Sequence, residues 1–383
     1  MDNLSVTSLS PPDRLLCGPG PSNVGRGVLA AMQKPMLGHL DPDFHDILLE
    51  VMDLQRRVYR AQGAGLVIPM HCTGTAGMEA GLASLLAPGE KIIVAQCGFF
   101  GRRISEIAGR YGAEVIAVEA DWGESVSNEA LLAALDEHPD TRVMAVVHGE
   151  TSTGIEHPVQ ELGAALAGRD TFLLVDCVTT LGGVPLEFDA WGVDYAYSCT
   201  QKCVGAPPGM SPIAVSERAL AHIRSRDTQV PWSFDLELLE RYWVERPVVY
   251  HHTAPILHIY ALHEALREAL EEGLETRWAR HAEAGAHLQR EVKSRGLELL
   301  ADSDHQLAPL TAVRVPEGVD GKAVQTRMLR EHDIEIGGGL GPVAPPMWRL
   351  GLMGSNASVA TADRLLAAFD GVLAEEQALT RAT

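Results

Sequence analysis

Four short apolar runs, KIIVA at 91–95, AEVIAVEA at 113–120, RVMAVVHG at 142–149 and TFLLVDCV at 171–178, are separated by stretches with helical spacing such as GMEAGLASLLA and ISEIAGRYG. Strands that alternate with helices confine the chain to the α/β class, with a mainly parallel sheet covered on both faces. VDYAYSC, at 193–199, reads as a further strand. Sheets of this kind bind ligands beyond the carboxyl ends of their strands. The residues that follow each run are therefore the first place to look for chemistry.

A single core stops growing near 250 to 300 residues, so 383 residues predict one large domain and a smaller companion. Residues 255–295 form a long helical stretch, with apolar positions three and four apart among salt-pairing charges, suited to bridge the two. Beyond it LTAVRVP, EHDIEIGGGLGP and MWRLGLMG alternate with helical segments and close on ATADRLLAAFDGVLAEEQAL. The expected division is a polar, proline-ended arm over 1–15, a large domain over 16–272 and a small C-terminal α/β domain over 273–383. No internal repeat interrupts it.

A formal charge of −20 opposes nucleic acid or anionic membrane as a partner, because both are held by Lys and Arg neutralising phosphates. No run approaches the roughly 18 apolar residues of a membrane span. The six cysteines show no CxxC pairing and no charged-then-apolar leader opens the chain, so a soluble, cytoplasmic protein without a disulfide framework is expected.

SCTQKCVGAPPG, at 198–209, raises the question of chemistry. Lysines are ordinarily solvated charges. Lys202, however, follows a strand that ends in small polar residues before a Pro-Pro-Gly turn, at the carboxyl edge of the sheet. A desolvated lysine there has a lowered pKa and can form a Schiff base. Zinc is the weaker reading, since Cys199 and Cys203 lack a second ligand pair at the usual spacing.

A Schiff-base lysine working with pyridoxal phosphate needs an acid for the pyridine nitrogen. Asp176 ends a buried apolar strand, a costly place for a carboxylate without a cation, although an N-cap is the alternative. Thr73, Gly74 and Thr75, in HCTGTAGMEAGLASLL, form a small-residue turn into a helix, where backbone N–H groups suit a phosphate. GPGPSNVG, at 18–25, lacks a P-loop ending, and no GxGxxG follows a strand, so nucleotide readings find no support. In GHLDPDFHD, at 38–46, a metal reading through His39, Asp41, Asp43 and His45 yields to a helix start at Asp41-Pro42. No metal is expected.

The motifs LLCGPGPSNV, HCTGTAGMEA, HGETSTG, LLVDCVTTLGG, TQKCVGAPPGM, YHHTAP, IEIGGGLGP and WRLGLMG, in this order from about Leu15 to about Ala368, resemble the class V, fold-type-I pyridoxal-phosphate aminotransferases. Within that class the chain is similar to the alanine/serine:glyoxylate group. The resemblance implies a large domain with a mainly parallel seven-stranded sheet, a smaller C-terminal α/β domain and a homodimer with shared active sites. Lys202 is then the Schiff-base lysine, with Gln201 beside it on the phosphate side. Asp176 faces the pyridine nitrogen, Thr151 the ring hydroxyl, and Thr73, Gly74 and Thr75 the phosphate. Phe100 stands where relatives commonly carry a stacking Trp.

By the same resemblance Tyr250 and Thr253 reach the phosphate of the partner's cofactor, and Arg349 receives the substrate carboxylate, to which a guanidinium fork is suited. His39 lies near the substrate, and Gly20, with the glycines at 18 and 337–339, forms walls that favour short side chains. The implied reaction is ping-pong transfer of an amino group from alanine or serine to glyoxylate or a similar small oxo acid. Ureidoglycine:glyoxylate and pyridoxamine:pyruvate transfer are the sister readings. His39 and Tyr250 stand where Gln and Asn are associated with ureido recognition. A lyase or desulfurase on the same fold fits less well, because Cys203 sits on a tight proline-rich turn. A non-catalytic regulator fits poorly too, since no DNA-binding segment precedes the domain.

Overall fold

Seven strands form the main sheet: β1 (Ala64–Met70), β2 (Lys91–Gln96), β3 (Glu114–Glu119), β4 (Thr141–Val147), β5 (Phe172–Asp176), β6 (Tyr195–Tyr197) and β7 (Ser211–Ser216). They lie in the order β1-β7-β6-β5-β4-β2-β3, and only β7 runs antiparallel to its neighbours. The structure is a computed structural model that describes residues 8–227, 229–341 and 344–382. Every residue of β5 is buried, as are all but the second of β4, which is why these strands read as continuous apolar runs.

β1 and β7 are not evident from the alternation of the sequence. Each carries a proline, which argues against a strand interior, and the structure pairs them so that Pro69 and Pro212 stand opposite one another. Helices α1 (Gly74–Leu85) and α2 (Phe99–Arg110) follow β1 and β2. Asp41 accepts from the Asp43 N–H and Pro42 opens the helix Pro42–Tyr59, as the helix-start reading of that stretch requires.

The long helical stretch is two helices, α3 (Ile256–Glu272) and α4 (Leu274–Ser294), broken at Gly273 with φ +84°. Beyond them β8 (Leu310–Arg314), β9 (Gly337–Gly338) and β10 (Met347–Gly351) form an antiparallel sheet in the order β8-β10-β9. A second core of Leu288, Val313, Met328, Trp348, Leu350 and Phe369 packs against it.

The first seven residues of the expected arm lie outside the described residues. Leu15–Leu16 pairs in parallel with Ile334–Glu335, and Cys17 is buried in the second core. From there the chain crosses to the main sheet, where the Ser22 N–H donates to the Gln201 carbonyl at 2.8 Å. The segment between Cys17 and Ser22 thus straps the second sheet to the turn that carries Lys202.

Candidate active site

Four adjacent strand ends deliver the site. β2 ends at Gln96 and turns into α2, bringing Phe100. Val147 of β4, Asp176 of β5 and Tyr197 of β6 lie in register. Thr151, Asp176 and Lys202 therefore emerge side by side at the carboxyl edge, the edge at which open α/β sheets bind their ligands.

Lys202 is 7 % exposed. Its Nζ donates to the hydroxyls of Thr151 at 3.0 Å and Thr179 at 3.2 Å, and lies 5.7 Å from the centre of the Phe100 ring. Burial lowers its pKa, and the Arg349 guanidinium adds to that, against the opposing influence of Cys199 and Asp176. The turn itself is held from outside. Ser22 Oγ donates to the Lys202 carbonyl at 2.9 Å, and Arg277 Nη2 donates to the Cys203 carbonyl at 2.8 Å. Gly20 has φ +102°, and a Cβ there would lie 3.0 Å from Lys202 Cγ, so only glycine lets the strap lie against the lysine stem.

Asp176 is 2 % exposed, and both its oxygens are engaged by neutral donors. The Tyr197 hydroxyl donates to Oδ2 at 2.7 Å and the Val178 N–H to Oδ1 at 2.8 Å. Burial pushes its pKa up to about 6, against the pull of these two bonds. The carboxylate thus makes a cap-like bond to Val178 and is also buried at the head of the strand, so the two readings left open by the sequence coexist.

Thr73 caps α1, its Oγ1 accepting from the Ala76 N–H at 3.1 Å. A Cβ on Gly74 would lie 3.1 Å from Val178 and 3.2 Å from Cys199 Cβ, so glycine lets the helix start pack against both the Asp176 and the Lys202 turns. The first N–H groups of a helix have no intrahelical partner and carry its positive end. Thr75 Oγ1 accepts from Arg103 Nη1 at 3.1 Å, which adds a cation to that corner.

Arg349 is buried on β10, where Nε donates to the Gly338 carbonyl at 2.6 Å and Nη1 to the Thr151 carbonyl at 3.2 Å. Burial lowers its pKa to about 10. Gln201 meets the strap through its carbonyl. The remaining three expected residues lie apart: Tyr250 is 58 % exposed, Thr253 is exposed, and His39 is half-buried with its ring 5.6 Å from that of Tyr250. Among the described residues none of the three hydrogen-bonds to the Lys202 group.

Burial pushes the Cys199 and Cys203 thiols up to about 11 and about 12, so neither is a ready thiolate. Sequence reasoning missed Glu150, Thr179, Tyr197, Arg103 and Ser22. Glu150, Thr179 and Tyr197 lie inside HGETSTG, LLVDCVTTLGG and VDYAYSC, and Ser22 inside GPGPSNVG, but nothing at their own positions names the partner each one meets; Arg103 stands three residues after Phe100.

The aminotransferase class-V family profile matches residues 21–361. The chain belongs to the class-V aminotransferase family. This aminotransferase is 38 % identical over 360 residues to alanine–glyoxylate aminotransferase of Drosophila melanogaster, covering 93 % of this chain and 91 % of the other. It is 36 % identical over 389 residues to (S)-ureidoglycine–glyoxylate transaminase of Bacillus subtilis, covering 97 % and 93 %. The solved alanine–glyoxylate aminotransferase of Nostoc sp. superposes with a TM-score of 0.93 at 46 % identity, covering 97 % of this chain and 99 % of the other. The expected fold-type-I architecture is what the aminotransferase adopts. No helix among its described residues is long and apolar enough to cross a membrane.

Proposed function

We propose that this aminotransferase holds pyridoxal 5′-phosphate on Lys202 and moves an amino group from alanine or serine to glyoxylate or a similar small oxo acid. The observation that carries the reading is the pairing of a buried, pKa-lowered lysine with a buried carboxylate that has only neutral donors. Asp176 needs a cation, and a protonated pyridine nitrogen is one. The residues fit the rest of the cofactor too. Phe100 offers a ring face, Thr151 a hydroxyl, and the Thr73-Gly74-Thr75 turn a helix start for the phosphate, with Gln201 alongside.

When bound, the cofactor supplies an aldehyde that takes up the amino group and an electron-poor ring that spreads charge from the substrate's α-carbon. The protein does the rest. Lys202, whose pKa burial lowers, would accept the α-proton as a general base, while the Thr151 and Thr179 hydroxyls hold its Nζ in place. Asp176 keeps the proton on the ring nitrogen. Arg349 presents its fork to the substrate carboxylate, the same group in donor and acceptor. Gly20 and Gly337 bring bare backbone against the Lys202 stem and Pro19, and the close packing there supports small substrates.

The exposed Tyr250 and Thr253 support a homodimer in which each chain completes its partner's phosphate site. The ureidoglycine-using relative keeps that donor as the second reading. One assay separates them. Cofactor-loaded enzyme is mixed with single amino compounds, and loss of its visible absorbance is followed until glyoxylate restores it. Alanine or serine is expected to bleach the band. A band unchanged by every small amino acid removes the proposal.

A further inference from the structure

Glu150 is a second fully buried carboxylate near Lys202, one residue before Thr151. Its Oε2 accepts from the N–H groups of Phe100 at 2.9 Å and Gly101 at 3.2 Å. Its Oε1 accepts from the N–H of Ser152 at 3.0 Å and from its hydroxyl at 2.6 Å. Ser152 Oγ in turn accepts from the Phe99 N–H at 2.8 Å. The three leading N–H groups of α2 are thus all consumed inside the protein, by a side chain one residue before Thr151 and a side chain one residue after it.

The backbone around this anchor admits nothing larger than glycine. A Cβ at Gly98 would lie 2.4 Å from Ser152 Oγ and 2.5 Å from Glu150 Cγ, and one at Gly101 would lie 2.4 Å from the Ala95 carbonyl oxygen. Phe100, between these glycines, faces Lys202 Nζ, and Thr151 accepts from that same Nζ. One short segment, 150–152, therefore fixes both the ring and the lysine. A buried carboxylate is costly unless its lone pairs are filled, and here four donors and the positive end of a helix fill them.

We propose that Glu150 is a positioning residue: it anchors the start of α2 so that the Phe100 ring is held over the site, and it acts through Phe100 without touching substrate. This rests on Lys202 and Phe100 being the cofactor's contacts. In Glu150→Gln an amide NH2 replaces one oxygen, and whichever way the amide turns at least one backbone N–H faces another donor. The α2 start then shifts or loosens.

The test is a double-mutant cycle read by binding, not turnover. Uptake of pyridoxal 5′-phosphate by apo-protein is titrated through quenching of tryptophan fluorescence for wild type, Glu150→Gln, Phe100→Leu and the double variant, with thermal midpoints as a fold control. Glu150→Gln should weaken uptake about tenfold when Phe100 is present and by no more than about twofold in the Phe100→Leu background. Equal losses in both backgrounds overturn the proposal, because a merely structural carboxylate acts whether or not the ring is there. Should Glu150→Gln not fold, Ser152→Ala, which cuts the link to Phe99, takes its place in the cycle with the same two outcomes. Wild-type protein that takes up no cofactor at all would overturn the underlying reading as well, and is told apart by its own titration.

Discussion

Asp176→Asn should make the cofactor-free protein more stable above pH 6. The carboxyl is raised from its ordinary 3.8 to about 6 by burial, a difference of about two units or about 3 kcal/mol between folded and unfolded chains. Because the folded value is the higher one, the folded state binds the proton more tightly. The stability this confers is fully present below 3.8, is lost as pH rises to about 6, and does not change further above it. Asparagine removes the charge while keeping the shape. Its carbonyl can accept from the Val178 N–H, and its amide can donate to the Tyr197 oxygen.

With about 2 cal/mol/K of unfolding entropy per residue, 3 kcal/mol moves the midpoint of a 383-residue chain by about 4 °C. Thermal unfolding of apo wild type and apo Asp176→Asn, followed by fluorescence between pH 5 and 8, should show the variant ahead by the full amount at pH 7 and 8. At pH 5 it should lead by about half as much. Added pyridoxal 5′-phosphate should reverse the order at pH 8, since only the carboxylate can pair with a protonated ring nitrogen. An offset independent of pH, or an apo variant less stable than wild type at pH 8, would refute the argument that desolvation burdens Asp176.

Lys202→Ala should fold and turn over at a small fraction of wild type, and borohydride should no longer fix cofactor to the chain; fixation that persists names another lysine. Arg349→Lys keeps the charge but loses the planar fork, so the KM for both amino donor and oxo acceptor should rise, while amines without a carboxylate react unchanged. Tyr250→Phe with Thr253→Ala should weaken cofactor retention without altering the fold. In a mixed dimer of that chain with a Lys202→Ala chain, the one lysine-bearing site draws its Tyr250 and Thr253 from the intact partner and should bind as wild type does. Cofactor loss at that site puts both residues in their own subunit.

What could be read from the sequence and what could not divides along a physical line. Strand β3, at the edge of the sheet with no buried residue, is legible from its β-branched residues; β2, β4 and β5 are legible because burial on both faces demands apolar residues without interruption, and that demand is written locally. Lys202 and Asp176 were legible for the converse reason: each is an ionisable group at the end of such a strand, where charge is out of place unless it has work. β1 and β7 escaped because a proline in each argues locally against a strand, while the partner strand that accommodates it is more than 140 residues away. Ser22 and Glu150 escaped differently. Ser22 reaches Lys202 across 180 residues of chain, and Glu150 reaches Phe100 across 50, so neither contact leaves a mark at its own position. The groups proposed to do chemistry are thus marked by being out of place locally, whereas the groups that hold them still are ordinary polar residues whose contacts exist only once the sheet has brought distant turns together. That asymmetry is why Lys202 and Asp176, the pair proposed to react, can be read from the sequence and their scaffold only in three dimensions. It also puts substitutions at Ser22, Glu150 and Ser152, unremarkable in the chain, among those to which the site should be most sensitive.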